Sequence, residues 1–290
     1  MKNRILLFVV ALMAAFMTVQ AEDYRVYFDN QAVQVTDANK DNLTAVLTEA
    51  GLLTAGTVTF SADGSTRKLT LSGAKLKTLD GSWYSMLRIS EDLTLEVVGE
   101  NEILFDVKTG WGYPLYCGSN TKVTLTGSGS LTCRTLLSSL FIGTYICEGA
   151  TLVIDGNATL VTTGAQHGIY GDTGGKLFVN FGTLKASCYN QWGRADIEVL
   201  GGIQLADGVS ITQPAGARIS DGGVLVVYAD GAPIPTNVEV VITGGSASGI
   251  ATPITSPQDS GGRYNLQGQR VDEAYRGVVI ENGRKRVVKK

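Results

Sequence analysis

What most constrains this chain is a short strand pattern that keeps returning. Six segments open on a polar residue and then alternate apolar with outward positions: Lys68-Leu69-Thr70-Leu71-Ser72-Gly73, Asp92-Leu93-Thr94-Leu95-Glu96-Val97, Lys122-Val123-Thr124-Leu125-Thr126-Gly127, Thr151-Leu152-Val153-Ile154-Asp155-Gly156, Lys176-Leu177-Phe178-Val179-Asn180-Phe181 and Asp196-Ile197-Glu198-Val199-Leu200-Gly201. Their anchors, Leu69, Leu93, Val123, Leu152, Leu177 and Ile197, lie 24, 30, 29, 25 and 20 residues apart. Alternation with period two marks a half-buried strand, and a recurrence on this scale marks a solenoid turn. After each anchor come a Gly and a second short strand, as in Ser130-Leu131-Thr132 and Thr159-Leu160-Val161; before it comes a third, as in Pro114-Leu115-Tyr116 and Gly168-Ile169-Tyr170. Three short strands per turn predict an all-β fold, a right-handed parallel β-helix of about 6–8 coils. A leucine-rich repeat needs a consensus Asn and a helical segment, and neither is visible; a sandwich needs strands every 8–12 or so residues without the longer period.

A single coil cannot bury its inward face, so stability must come from stacking on neighbours. Leu69, Leu71, Val123, Leu125, Leu152 and Ile154 are the expected inward columns, with Thr70, Thr94 and Thr124 outward. Open ends need caps. Residues 41–50 have helical apolar spacing stopped by Gly51, which predicts an N-terminal capping helix. Val224-Leu225-Val226-Val227 and Val238-Glu239-Val240-Val241-Ile242 are expected to close the other end. Composition agrees with a turn-rich, packed chain: 36 of 290 residues are Gly, only 6 are Pro, and 44% are apolar, which excludes collagen-like and disordered classes.

The formal charge of -3 gives no electrostatic footprint for nucleic acid. It also hides a division. Residues 261–290 carry eight basic and three acidic residues and residues 1–21 carry two basic ones, which leaves 14 basic against 24 acidic in residues 22–260, a net of -10. Lys2 and Arg4 precede an apolar run over residues 5–19 that ends in Val19-Gln20-Ala21. This reads as a secretory signal peptide, with export to the periplasm, cell surface or medium; the run is short of the about 20 residues that span a bilayer, so no transmembrane segment is expected. The expected organisation is a signal peptide (1–21), N-terminal strands and capping helix (22–55), β-helix (56–243), Gly/Ser/Pro linker (244–262) and C-terminal hairpin (263–290). In that tail Asn282-Gly283 separates two β-branched runs, a strong hairpin signal.

The stretches Tyr264-Asn265-Leu266-Gln267-Gly268-Gln269-Arg270-Val271 and Gly277-Val278-Val279-Ile280-Glu281-Asn282-Gly283-Arg284-Lys285 resemble the short C-terminal module of many exported Bacteroidota proteins, which is similar to the sorting domains of type IX secretion. In the body, Gln34-Val35-Thr36-Asp37-Ala38-Asn39, Leu93-Thr94-Leu95-Glu96-Val97-Val98-Gly99-Glu100-Asn101, Thr124-Leu125-Thr126-Gly127-Ser128-Gly129-Ser130-Leu131 and His167-Gly168-Ile169-Tyr170-Gly171 resemble the repeats of bacterial pectate-lyase-like β-helix domains described as carbohydrate-binding. The resemblance spans residues 33–214. It implies non-catalytic binding of acidic plant polysaccharide, in some members with calcium.

The chemistry-bearing residues are few. His167 is the single His, which excludes two-His metal sites, and no nucleophile motif lies near it. Arg194 and Arg218 are the candidate bases for a lyase, but acids do not recur in register around the anchors. Many acids precede Gly, as Asp155 does, which is turn chemistry first. No cofactor is expected; calcium through Asp155, Asp172 or Asp196 would need several oxygens to converge. Cys117 and Cys147 fall near each other on adjacent coils, and two readings stand, a disulfide or stacked buried thiols.

The informative residues are aromatic. Rings cluster before each anchor: Trp83 and Tyr84, then Trp111, Tyr113 and Tyr116, then Phe141 and Tyr145, then Tyr170, then Tyr189 and Trp192. Tyr116, Tyr145 and Tyr170 each lie seven residues before their anchor, and the inward positions of Leu115 and Ile169 turn Tyr116 and Tyr170 outward. Trp83, Trp111, Tyr113, Tyr116, Tyr145, Tyr170 and Trp192 are therefore the expected ligand-contacting set, since flat apolar rings with a polar handle suit sugars. The other reading is that the rings staple successive coils. The function expected is a secreted, non-catalytic protein that binds extracellular polysaccharide. A structural or adhesive surface protein without a glycan site, and a polysaccharide lyase or hydrolase, are the alternatives.

Overall fold

The computed structural model describes residues 23–79, 84–107, 111–135, 141–189 and 196–244, and the strand backbone of Arg263–Asn265, Gly277–Glu281 and Arg284–Val288. The expected signal peptide, residues 245–262 of the linker, Trp83, Trp192 and Arg194 lie outside the described residues. The chain divides into two units, Met1–Ala247 and Ser248–Lys290.

The first unit is a β-solenoid. β1 (Asp23–Phe28) and β2 (Val33–Thr36) form an antiparallel pair, and a 3-10 turn (Lys40–Asn42) leads into α1 (Leu43–Glu49). The helix buries Leu43 and Leu47, one turn apart, and stops before Gly51, whose φ of 75° favours a residue without a Cβ. β3 (Leu53–Asp63) then runs antiparallel to β4 (Thr66–Lys77). Thr44 holds the centre of β3: its hydroxyl donates to the Val58 carbonyl at 2.7 Å and accepts from the Val58 amide at 2.9 Å.

The coils follow. β4 and β5 (Tyr84–Ile89) make the first; β6 (Leu93–Val98), β7 (Glu100–Phe105) and β8 (Gly112–Cys117) the second; β9 (Lys122–Gly127), β10 (Ser130–Thr135) and β11 (Ile142–Ile146) the third. β12 (Thr151–Ile154), β13 (Thr159–Gly164) and β14 (His167–Gly171) make the fourth, and β15 (Lys176–Val179), β16 (Thr183–Cys188) and β17 (Ile197–Val199) the last, before β18 (Ile203–Leu205). Three parallel ladders result: β4-β6-β9-β12-β15-β18, β4-β7-β10-β13-β16 and β5-β8-β11-β14-β17. The stack holds four to five coils rather than the expected six to eight, because the chain after β18 leaves the ladders.

The register corrects two anchors. Leu69 pairs with Leu95 rather than Leu93, because β4 is 12 residues long and serves two ladders. Ile197 belongs to the third ladder, opposite Ile169, and the true successor of Leu177 is Ile203. From Leu93 through Val123 and Leu152 to Leu177 the expected register holds.

Inside, the aliphatic columns are continuous: Leu69, Leu95, Leu125, Ile154 and Val179 are all fully buried. At the corner between the first and second ladders the coils approach closely. A Cβ on Gly127, at φ 114°, would lie 2.2 Å from the Val97 carbonyl oxygen of the coil below. Asn101, 1% exposed, secures the same corner: its side-chain oxygen accepts from the Ala74 amide at 2.8 Å, and its amide faces the carbonyls of Val98, Gly99 and Ser130 at 3.1–3.2 Å. One buried side chain thus joins three coils.

Both ends are closed antiparallel. β1 covers β5 at the N-terminal side. At the other end β19 (Ser210–Gln213) and β22 (Val240–Thr243) pair with each other, and β22 lies on β16; between them β20 (Arg218–Ile219) and β21 (Val226–Val227) form a small pair. In the second unit β23 (Arg263–Asn265), β24 (Gly277–Glu281) and β25 (Arg284–Val288) form a three-stranded antiparallel sheet, one strand more than a hairpin. No described helix is long and apolar enough to cross a membrane.

Candidate aromatic site on the third ladder

The third ladder carries a column that the repeat aligns residue for residue. Arg88 pairs with Tyr116, Tyr116 with Tyr145, Tyr145 with Tyr170, and Tyr170 with Glu198. Inward neighbours Leu115, Thr144, Ile169 and Ile197 are fully buried, which turns this column outward. Tyr113, Tyr116 and Ile142 form an apolar cluster separate from the core, with Tyr84, Tyr145, Cys147 and Tyr170 packed on it. Ring centroids follow the strands: Tyr116 to Tyr145 is 5.4 Å with parallel planes, Tyr145 to Tyr170 is 5.7 Å, and Tyr113 to Tyr145 is 4.5 Å.

The expected contact set is thereby divided. Tyr113 and Tyr116 are on the outer side but only 7% and 6% exposed, so they pack against their neighbours instead of offering faces to a ligand. Tyr145 and Tyr170 keep part of their surface, and so does Tyr84. Trp111 is 56% exposed, the most exposed large apolar side chain among the described residues, and its carbonyl accepts the Tyr84 amide at 3.1 Å. Tyr84 has a φ of 110°, a region a side-chain-bearing residue rarely adopts; such strain collects where geometry serves function. Trp83 and Trp192 fall outside the described residues.

Polar groups edge the cluster. Tyr145 donates to Asp172 Oδ2 at 3.1 Å and Tyr116 donates to Cys147 Sγ at 3.1 Å. Burial raises the Tyr113 hydroxyl to about 12. Burial first, then the bond to Cys147, raises Tyr116, and burial with the nearby Asp172 charge raises Tyr145. All three stay protonated donors at neutral pH. Arg88 closes one end, its guanidinium over Tyr27 at 5.5 Å, Tyr84 at 5.9 Å and Tyr116 at 5.5 Å, a cation–π arrangement. At the other end His167, 1% exposed, has Nε2 3.7 Å from Glu198 and its ring 5.0 Å from that of Tyr170. Arg88 and Glu198 are not among the expected contacts, although both sit 28 residues from a column tyrosine, one coil away, and Asp172 is expected only as a calcium ligand.

The disulfide reading does not hold. Cys117 pairs in register with Ile146, not Cys147, so Cys117 points into the core and Cys147 out into the tyrosine cluster, and neither forms a disulfide. The three aspartates considered for calcium are also dispersed. Asp155 bonds the Gly156 amide, Asp172 sits beside Tyr145, and Asp196 is 1% exposed with Oδ1 on the Cys188 amide. No three His, Cys, Asp or Glu side chains gather as a metal site among the described residues.

Surface cavities also lie elsewhere, on the outer side of the first ladder. One of about 330 Å³ is lined by Lys122, Thr151, Val153, Lys176, Phe178 and Asn180. It offers one partly buried ring and no column. Comparison with family models, with curated proteins and with solved structures returned no match to this chain.

Proposed function

We propose that this protein is exported and binds an extracellular polysaccharide without cleaving it, along the outer side of the third ladder. The observation that carries the reading is the aromatic cluster itself: rings gathered outside the core, edged by hydroxyl and carboxylate groups, with Trp111 standing 56% exposed beside them. Exposed apolar patches with polar rims mark interaction sites, and aromatic rings present contact area at little conformational cost. His167, the single imidazole, is buried and so out of reach of a bound chain.

A second reading is favoured by one observation. Tyr113 and Tyr116 are buried against neighbouring rings, as coil staples in a purely structural surface protein would be. The Trp111→Ala variant separates the two. Loss of an exposed ring costs a bound sugar on the order of 1 kcal/mol, so retention on a glycan bound by wild type falls roughly fivefold while the melting temperature is unchanged. Unchanged retention across a glycan array favours the structural role, and release of reducing ends or unsaturated products from any polymer would make the protein an enzyme.

A further inference from the structure

On the first ladder an acidic body leaves two cations without an acid. Lys68, Lys75 and Arg134 each meet a glutamate of a neighbouring coil, with Lys68 Nζ 3.1 Å from Glu96 and Lys75 Nζ and Arg134 Nε 3.7 and 2.6 Å from Glu102. Lys122 and Lys176 are exposed and form no ion pair with a described residue. Both stand in one outward column, Lys122 opposite Thr151 and Thr151 opposite Lys176. Their Cα atoms are therefore two coil steps apart, about 10 Å, with a hydroxyl-bearing residue between them. Two positions along the strands, about 7 Å away, Val153 lies opposite Phe178. These residues and Asn180 line the cavity of about 330 Å³, and no carboxylate lines it. The volume falls within the roughly 300–1,000 Å³ of small-molecule sites. Asp92, next in the lysine column, is held by the backbone, its Oδ1 accepting the Lys122 amide at 2.7 Å, and it lines a separate cavity of about 180 Å³.

We propose that this cavity is a second binding site, independent of the tyrosine cluster, for one small carboxylate that carries a ring. Two ammonium groups with only Thr151 between them repel each other. Their flexible four-carbon stems let both reach a single anion set over Thr151, where each donates a charge-assisted hydrogen bond and the threonine hydroxyl adds another. The ring then lies one step along the strands, on Val153, which is 6% exposed, and on half-buried Phe178. A few polar groups beside an apolar floor fix a ligand's orientation. A sugar acid and an aromatic acid share this chemistry, and matched probes separate them.

The test is titration of the full chain, followed by amide NMR, with 3-phenylpropionate, its neutral amide, propionate, methyl glucuronide and methyl glucoside. At least one of the two ring-bearing acids is expected to bind roughly tenfold more tightly than its neutral counterpart and than propionate, and to weaken as salt is raised; the tighter of the two identifies the ring. Lys122→Gln and Lys176→Gln, both at exposed positions, should each cost that acid on the order of fivefold in affinity, and Phe178→Ala should reduce it to the level of propionate. Trp111→Ala should leave it unchanged. Equal binding of an acid and its neutral counterpart, full affinity in the doubly substituted lysine variant, or no binding of either acid overturns the proposal and leaves the reading of the third ladder untouched.

Discussion

Asn101→Ala tests the corner that joins the first three coils. The side chain is 1% exposed and makes one accepted bond, from the Ala74 amide at 2.8 Å, and offers two N–H groups to the carbonyls of Val98, Gly99 and Ser130. Two N–H groups cannot fully satisfy three carbonyls, so three effective hydrogen bonds are lost. Each is worth about 0.5–1.5 kcal/mol net, and a buried donor left unpaired costs about 1–3 kcal/mol. The Ala74 amide is that donor. The sum is roughly 5 kcal/mol, which for a unit of this size corresponds to a melting temperature lower by about 10–20 °C. Thermal and urea unfolding followed by far-ultraviolet circular dichroism measures it. Asn101→Asp should be as damaging at neutral pH, because a carboxylate faces three carbonyl oxygens, and milder in acid, where the protonated group donates again. An Asn101→Ala protein within 0.5 kcal/mol of wild type, about the size of an ordinary surface change, would refute the three-coil staple.

Two further outcomes follow from buried groups. Burial raises the Asp196 carboxyl from 3.8 to about 6, against the opposing bond from Cys188. Because the folded state favours its protonated form, this contribution is fully present below pH 4 and is lost as pH rises through 6, on the order of 3 kcal/mol; Asp196→Asn should flatten that part of the stability profile, and an unaltered slope would refute the assignment. Among the thiols, Cys147 alone is partly exposed, so a thiol reagent should label one site per native chain and four after denaturation, with mass spectrometry placing the first label on Cys147.

Much of the fold is legible in the sequence because stacking makes the chain repeat itself. Leu93, Val123, Leu152 and Leu177 stand in one column because each must fill the same inward position of its coil. The reading slipped where that demand was shared or withdrawn. β4 crosses a corner without a break, so Leu69 matches two residues later than its motif suggests, and Ile197 carries the motif of one ladder inside another. The tyrosine column was legible for the same reason as the core. Its burial was not: whether an outward ring meets water depends on Tyr84, Tyr113 and Tyr145 from other coils, and the pattern of one strand holds no record of them. Cys117 and Cys147 differ by a single register step, and one step in a strand reverses the face.

Thr44 helps to close the N-terminal end of the solenoid. By occupying both backbone groups of Val58 it takes that residue's N–H and C=O, on an edge strand, out of reach of a foreign strand. This cap lies ahead of every coil in the chain, so during synthesis the closed end emerges before the stack it terminates. Each later coil needs only its predecessor as a template.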